Sequence, residues 1–411
     1  MKISVTPSVL SGEITAPPSK SYAHRYVIAA ACRGKPVTIK NVGRCEDVIA
    51  TVDCLKKAGA DCDFYGDDFK FNSFTPVNNV VLDCKESGST LRFLMPICAA
   101  LGIRAAFTGS KTLLGRPLKE LVDTLNEHGA DIESFTVKGK IEKGEYKISG
   151  NVTSQYITGL LFALATLGGG KITVTGKVVS EPYIAMTVET LESFGADIEK
   201  RGNVYEIKKG FGDAKENITV EGDYSGAAFF LTAAATGGKI TVNGLKENSL
   251  QGDAEILSVL RKFGANVCVK GDSVTVEKRE LNGITEDCDN IPDLVQIIAV
   301  AAAYAKGETR LKNVYRLKDK ESDRIEAILK TLETAGIKAN FDGRDLIIIG
   351  GKPKGGTFFT GNDHRSAMSA AILACYADGD SEIIGAESVT KSYPNFYKDF
   401  SDLGGKCDVG I

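Results

Sequence analysis

The sequence predicts an α/β protein made of six copies of one unit, grouped three and three, with helices buried inside and sheets outside. Three observations predict it. Glycines closing an apolar helix recur at Gly34, Gly102, Gly170, Gly238, Gly307 and Gly379, 68 to 72 residues apart. A second set, Gly59, Gly129, Gly195, Gly264, Gly336 and Gly404, closes a second helix at spacings of 66 to 72. Two independent markers with one period define a repeat. Third, the first helix of each unit is apolar nearly all round, as in Leu160–Leu167, Ala227–Ala235, Leu294–Ala303 and Ala367–Cys375. That pattern demands burial on every side.

The other elements follow in order within each unit. The strand after the buried helix alternates, as in Lys171-Ile172-Thr173-Val174-Thr175, so one sheet face is wet. The second helix is amphipathic: Ile325, Ile328, Leu329 and Leu332 form a stripe opposite Glu326, Lys330 and Glu333. Its glycine stop is nearly constant, from Ala58-Gly59-Ala60-Asp61 to Phe263-Gly264-Ala265-Asn266. The seam between the two groups falls near Val220-Glu221-Gly222-Asp223. On pattern alone the N-terminal strand fits either group.

Composition narrows the function. At 411 residues, 43% hydrophobic and 25% charged, the chain supports two or three domains with sizeable cores. A net charge of −3 weighs against nucleic acid as the main partner. There is no apolar run long enough for a membrane span and no signal-like start, so a cytoplasmic protein is expected. Ten cysteines without a C-x-x-C, and only three histidines, argue for reduced buried thiols rather than a zinc site. No metal and no cofactor are expected.

The unusual residues sit where helices begin. First turns of the buried helices carry Lys20, Ser21 and Arg25; Ser87-Gly88-Ser89-Thr90 with Arg92; Thr153-Ser154-Gln155; Asp223-Tyr224-Ser225; Pro292-Asp293; and Asp363-His364-Arg365. Loops before the second helices carry Arg44 and Asp47; Gly115-Arg116-Pro117; Ser180-Glu181-Pro182-Tyr183; Gln251-Gly252-Asp253; Lys320-Glu321-Ser322-Asp323-Arg324; and Lys391-Ser392-Tyr393-Pro394. Taken singly, each fits an ordinary cap or a solvated charge. Parallel copies would point all these ends one way, toward a cleft between the two groups. A net acidic chain that gathers Lys20, Arg25, Arg92, Arg116, Lys320, Arg324, Arg365 and Lys391 is expected to hold a ligand bearing phosphate and carboxylate.

In these motifs the chain resembles the enolpyruvyl transferases. The resemblance runs in order over essentially the whole length and is most specific at Lys320-Glu321-Ser322-Asp323-Arg324 and Asn362-Asp363-His364-Arg365. It implies two inside-out, barrel-like α/β domains of three repeats, 1–18 with 222–411 and 19–221, with the active site in the cleft. It implies two small-molecule substrates, shikimate 3-phosphate and phosphoenolpyruvate (PEP), and a monomer. By motif, Thr153, Ser154 and Ser180 hold the shikimate phosphate. Ser21, Arg25, Gln155 and Asp293 hold its ring and carboxylate, with Lys20, Tyr183 and Lys320 alongside. Lys20, Gly88, Arg116, Gln155, Arg324, Arg365 and Lys391 hold PEP. Catalysis falls to Asp293 at the target hydroxyl, Glu321 at the methylene carbon and Lys20 at the leaving phosphate.

The chain departs from the family pattern at Glu86, Phe93, Thr153, Glu181 and Arg316. Glu181 stands beside the expected phosphate site, and Arg316 where an asparagine often serves that phosphate. Gly88 leaves room for glyphosate, which is an expected inhibitor. A rival acceptor is UDP-N-acetylglucosamine, whose transferases usually carry a cysteine in the loop that here reads Thr112-Leu113-Leu114-Gly115-Arg116-Pro117. RNA 3′-phosphate cyclisation fits the acidic charge poorly. A non-catalytic anion-binding protein would lack Lys20, Asp293, Glu321 or Lys391, and all four are present.

Overall fold

A computed structural model of the chain describes residues 1–215 and 217–410. The chain divides into two compact units: a continuous one, Lys20–Val220, and a split one, Met1–Ser19 with Glu221–Ile411. In chain order the continuous unit carries α1 (Lys20–Arg33), α2 (Glu46–Lys57), α3 (Gly88–Leu101), α4 (Lys111–Leu114), α5 (Lys119–Asn126), α6 (Ser154–Thr166) and α7 (Glu181–Ser193). The split unit carries α8 (Tyr224–Gly237), α9 (Ile256–Phe263), α10 (Val295–Tyr304), α11 (Arg324–Thr334), α12 (His364–Cys375) and α13 (Phe396–Asp402).

Among the described residues each unit holds three separate four-stranded sheets, and none of them closes on itself. Each of these sheets contains a parallel pair, and in four of the six an apolar helix carries the chain across from one strand to the other. Val80–Asp83 thus pairs in parallel with Ala105–Thr108 across α3, and Glu145–Ser149 with Gly170–Thr175 across α6. A unit closes on itself through its chain ends. In the continuous unit the last strand, Ile218–Thr219, pairs with Val37–Lys40 of its first repeat. In the split unit the N-terminal segment supplies two strands. Ser11–Thr15 lies parallel to Lys239–Asn243, and Lys2–Thr6 slots antiparallel between Ser381–Ile384 and Lys406–Gly410. The hydrogen-bond ladders therefore assign the N-terminal segment to the split unit.

The apolar helices are inside. All twelve residues of α12 are buried, as are twelve of fourteen in α3. The outer helices bury one stripe, and in α11 it is Ile325, Ile328 and Leu332. Each second-set glycine takes a positive φ, from 73° at Gly336 to 112° at Gly59, which only glycine adopts freely. One close approach fixes α3 against α6. Pro96 cannot donate to the Arg92 carbonyl one turn back, and Gly159 of α6 packs on that carbonyl. A Cβ at Gly159 would stand 2.3 Å from the Arg92 oxygen.

Candidate active site

The repeat places the first turn of an inner helix beside a loop some 27 residues away. Lys20 Nζ meets Asp47 Oδ2 at 2.9 Å, Ser225 Oγ donates to Asp253 Oδ2, and Lys320 Nζ meets Asp293 Oδ1 at 3.4 Å. Side chains about 27 residues apart within one repeat thus become neighbours near helix starts, where free N–H groups favour anions.

In the continuous unit the cationic residues gather at the start of α3. A Cβ on Gly88 would lie 2.8 Å from one Arg92 Nη and 3.1 Å from one Arg116 Nη, so both guanidinium groups lie over bare backbone. Arg92 donates to Gln155 Oε1 at 2.6 Å and to the Pro117 carbonyl at 3.0 Å. Gln155 Nε2 donates to Ser89 Oγ at 3.1 Å. Tyr156 also donates to the Pro117 carbonyl, at 2.7 Å, which pins the loop carrying Arg116. This arrangement offers a planar anion two guanidinium groups and a helix N-terminus together.

A second group in this unit lies around α7. Ser180, buried, takes φ 53° before the helix. Thr153 caps α6 through Gln155 N, and Ser154 is buried in its first turn. Arg25 donates to the Ser21 carbonyl (2.7 Å), the Tyr183 carbonyl (2.9 Å) and Thr187 Oγ1 (2.9 Å), tying α1 to α7. Its guanidinium lies over the rings of Phe93, 5.4 Å from the centroid, and Tyr183, 5.9 Å away. Burial lowers its pKa to about 10, so it stays charged at neutral pH. Glu181 pairs with Lys200, which offsets its charge beside Ser180.

In the split unit one arginine holds three carboxylates. Arg324, 1% exposed, donates from Nη1 to Asp293 Oδ1 (2.8 Å), from Nη2 to Glu321 Oε2 (2.6 Å) and from Nε to Asp363 Oδ2 (2.8 Å). Asp363 caps α12 through the Arg365 and Ser366 amides. Arg365 Nη2 stands 3.3 Å from Asp293 Oδ2, and its Nη1 donates to the Asp293 carbonyl at 3.0 Å. Lys391 Nζ donates to the Asn362 carbonyl, beside Asp363. Burial alone would raise Asp293, but Arg365, Lys320 and Arg324 outweigh it and hold its carboxyl well below the usual range. Arg316 pairs with Asp289, at 2.9 Å to Oδ1.

The structure thus brings Gly88, Arg116 and Gln155 together in one unit, and Asp293, Lys320, Glu321, Arg324 and Arg365 in the other. Lys20 stands with Asp47, and Arg25 with Ser21 and Tyr183. Sequence reasoning counted Arg92 among the ligand-holding cations without assigning it to either substrate, and left Asp47 and Asp363 without site roles, although all three lay inside the motifs it noted. Among the described residues no three His, Cys, Asp or Glu side chains gather as metal ligands would, and no helix is long and apolar enough to cross a membrane.

The fold and the motifs in these two charged clusters place the chain among the enolpyruvyl transferases. Its fold matches that of the enolpyruvyl transferase NikO from Streptomyces tendae, with TM-score 0.77 at 18% identity over 99% of this chain and 98% of that one. It matches EPSP synthase from Acinetobacter baumannii with TM-score 0.82 at 25% identity over the whole of both chains. The family profile described as EPSP synthase (3-phosphoshikimate 1-carboxyvinyltransferase) matches residues 5–400. The chain is 38% identical to the 3-phosphoshikimate 1-carboxyvinyltransferase of Clostridium novyi (strain NT), over 99% of this chain and 98% of the relative. It is 38% identical to that of Brachyspira hyodysenteriae (strain ATCC 49526 / WA1), over 99% of both. The chain belongs to the EPSP synthase family.

Proposed function

We propose that the Arg116 cluster and the Arg324 cluster serve one reaction. As a member of this family the chain is a transferase of the shikimate pathway, which leads to the aromatic amino acids. It moves the enolpyruvyl group of PEP to the 5-hydroxyl of shikimate 3-phosphate and releases phosphate. The observation that carries the residue assignment is the joint hold of Arg324 on Asp293 and Glu321. It supports the reading that Asp293 and Glu321, which share a single cation, each serve one proton transfer.

In the first step Asp293 takes the proton of the acceptor hydroxyl, whose oxygen bonds to C2 of PEP. Glu321 gives a proton to C3, which becomes a methyl group. Glu321, now a carboxylate, then takes a proton back from the methyl group of the tetrahedral adduct, the C2=C3 double bond re-forms as the C2–O bond to phosphate breaks, and Lys20 protonates the departing phosphate. Without ligand, the cations around Asp293 keep it ionised but weakly basic. Anionic substrates compete for those cations, and Asp293 becomes a stronger base as they bind. Arg116, Arg324, Arg365 and Lys391, with Gly88 and Gln155, neutralise and orient PEP. Thr153, Ser154 and Ser180 hold the shikimate phosphate, while Ser21, Arg25, Tyr183 and Lys320 flank the ring. Glu181 is paired with Lys200, which offsets its charge beside Ser180. We also propose a cytoplasmic monomer. Ten cysteines, all free, support a reducing compartment.

Phosphate release from PEP, measured with shikimate 3-phosphate and separately with UDP-N-acetylglucosamine, tests the acceptor. Release only with shikimate 3-phosphate is expected. Release only with the sugar nucleotide would overturn it.

A further inference from the structure

A buried chain of polar side chains joins the starts of α1, α2 and α3. His24 Nδ1 lies 2.8 Å from Thr51 Oγ1, which lies 2.7 Å from Thr90 Oγ1. Thr90 Oγ1 donates to Ser87 Oγ at 2.7 Å, and the Thr90 amide donates to the same oxygen at 3.2 Å. All four side chains are 1% exposed or less. The chain touches both parts of the anion cradle. His24 is one turn past Lys20 on α1, and Thr51 is one turn past Asp47, the partner of Lys20, on α2. Ser87 caps α3 immediately before Gly88.

The proton count gives this chain a direction. Each hydroxyl has one proton to donate. Thr90 gives its proton to Ser87, so Thr51 gives its own to Thr90, 2.7 Å away, in preference to the Asp47 carbonyl at 3.3 Å. His24 must then carry a proton on Nδ1 and donate it to Thr51. That leaves Nε2 as a bare acceptor, and Nε2 is buried with no hydrogen-bond partner among the described residues. The opposite direction would put the proton on Nε2, leaving a buried N–H without an acceptor. That is the rarer and more costly defect. Burial, with Lys20 and Arg25 nearby, holds the imidazole pKa well below its usual value, so the ring is neutral.

We propose that Thr51 is a positioning residue for the anion cradle, at the centre of a one-way hydrogen-bond chain that runs from His24 Nδ1–H to Ser87 and sets Lys20 against the Gly88 amide. Lys20 and Gly88 come from different repeats, and their spacing governs how both meet one phosphate. A displacement of well under an ångström is enough to weaken such an arrangement. The inference rests on the assignment of PEP to this cradle.

Two measurements test it. Nitrogen-15 NMR of the intact protein, which has three histidines, should show His24 protonated on Nδ1, with His24→Gln identifying the signal. Steady-state kinetics should show Thr51→Val raising the KM for PEP about tenfold and lowering kcat, because Lys20 also serves the departing phosphate, with the KM for shikimate 3-phosphate within about twofold of the parent. Thr51→Ser, which keeps the hydroxyl, should restore the parent KM. Thr90→Val breaks the next link and should repeat the Thr51→Val effect, so the test stands if one variant does not fold. An Nε2-protonated His24, or an unchanged KM for PEP in both valine variants, would overturn the proposal. Arg116→Ala separates the two levels. If it leaves the KM for PEP unchanged, the cradle assignment fails. If it raises that KM and the valine variants do not, only the role of Thr51 fails.

Discussion

Arg324 Nη1 lies 2.8 Å from Asp293 Oδ1, and the arginine is buried while also holding Glu321 and Asp363. The proposed base is therefore neutralised by a group that no solvent shell can replace. The proton affinity of Asp293 depends on how much of its cationic company the substrates draw away.

Arg324→Ala would leave three carboxylates facing one another in a dry site. Loss of one partner from a buried ion pair destabilises by about 3–5 kcal/mol, and a fall of that size in urea unfolding is expected. Arg324→Lys keeps the charge but cannot reach three carboxylates with fixed planar geometry. It should fold and lose most turnover, which circular dichroism and phosphate release together would show.

Asp293→Asn and Glu321→Gln each remove one proton carrier and keep the shape. Each should lower kcat about 10²–10⁴-fold with much smaller changes in KM. A variant that retained near-parent kcat would lose its assigned role.

Gly88→Ala drives a methyl group against two guanidinium tips. These are ends of flexible side chains, so the protein should fold and the arginines should move. The expected result is a KM for PEP raised roughly tenfold or more. Glyphosate is expected to compete at the same cradle. Parent turnover unaffected by glyphosate at low PEP would exclude that.

Gly159→Ala meets backbone rather than a flexible tip. The Arg92 oxygen, 2.3 Å from the new carbon, can yield only if α3 and α6 separate. A loss of about 1–3 kcal/mol in thermal or urea unfolding is expected. Arg92 would shift with its helix, so the KM for PEP should rise as well.

Asp253 predicts a pH dependence of stability. Burial, then the neighbouring Asp293, raise its pKa to about 7, while Arg365 and the Ser225 hydroxyl oppose the rise and Asp223 adds to it. Between the unfolded value, about 4, and 7, the folded chain binds the proton that the unfolded chain has released. Stability from this group therefore falls as pH rises through that window. Asp253→Asn should flatten the slope and stabilise the protein at pH 8 by on the order of 2 kcal/mol. Unfolding curves at pH 5 and pH 8 would show it, and an unchanged slope would remove Asp253 as the cause.

Much of this architecture was legible along the chain. The second glycine series marked six repeats because its helix stop needs a residue that tolerates positive φ, and that need recurs with every copy, whereas in the first series Gly238 takes φ −143°. Apolar runs such as Val295–Ala303 announced full burial. Lys20, Arg116, Asp293, Glu321 and Arg365 stood out as charged groups at helix starts, where the backbone itself favours particular charges. Arg92 was harder to place, because its partner Gln155 belongs to another repeat, 63 residues away.

The sequence by itself determined the repeat, the order of elements, the inside-out arrangement and the inventory of charged groups. These follow from periodicity and backbone preference, which act over a few neighbouring residues. Only the tertiary structure decided which carboxylates share Arg324, that His24 meets Thr51, and that Lys2–Thr6 belongs between strands nearly 400 residues away. Hydrogen-bond partners and desolvation depend on groups brought together by folding, and the spacing of residues along a chain does not specify them.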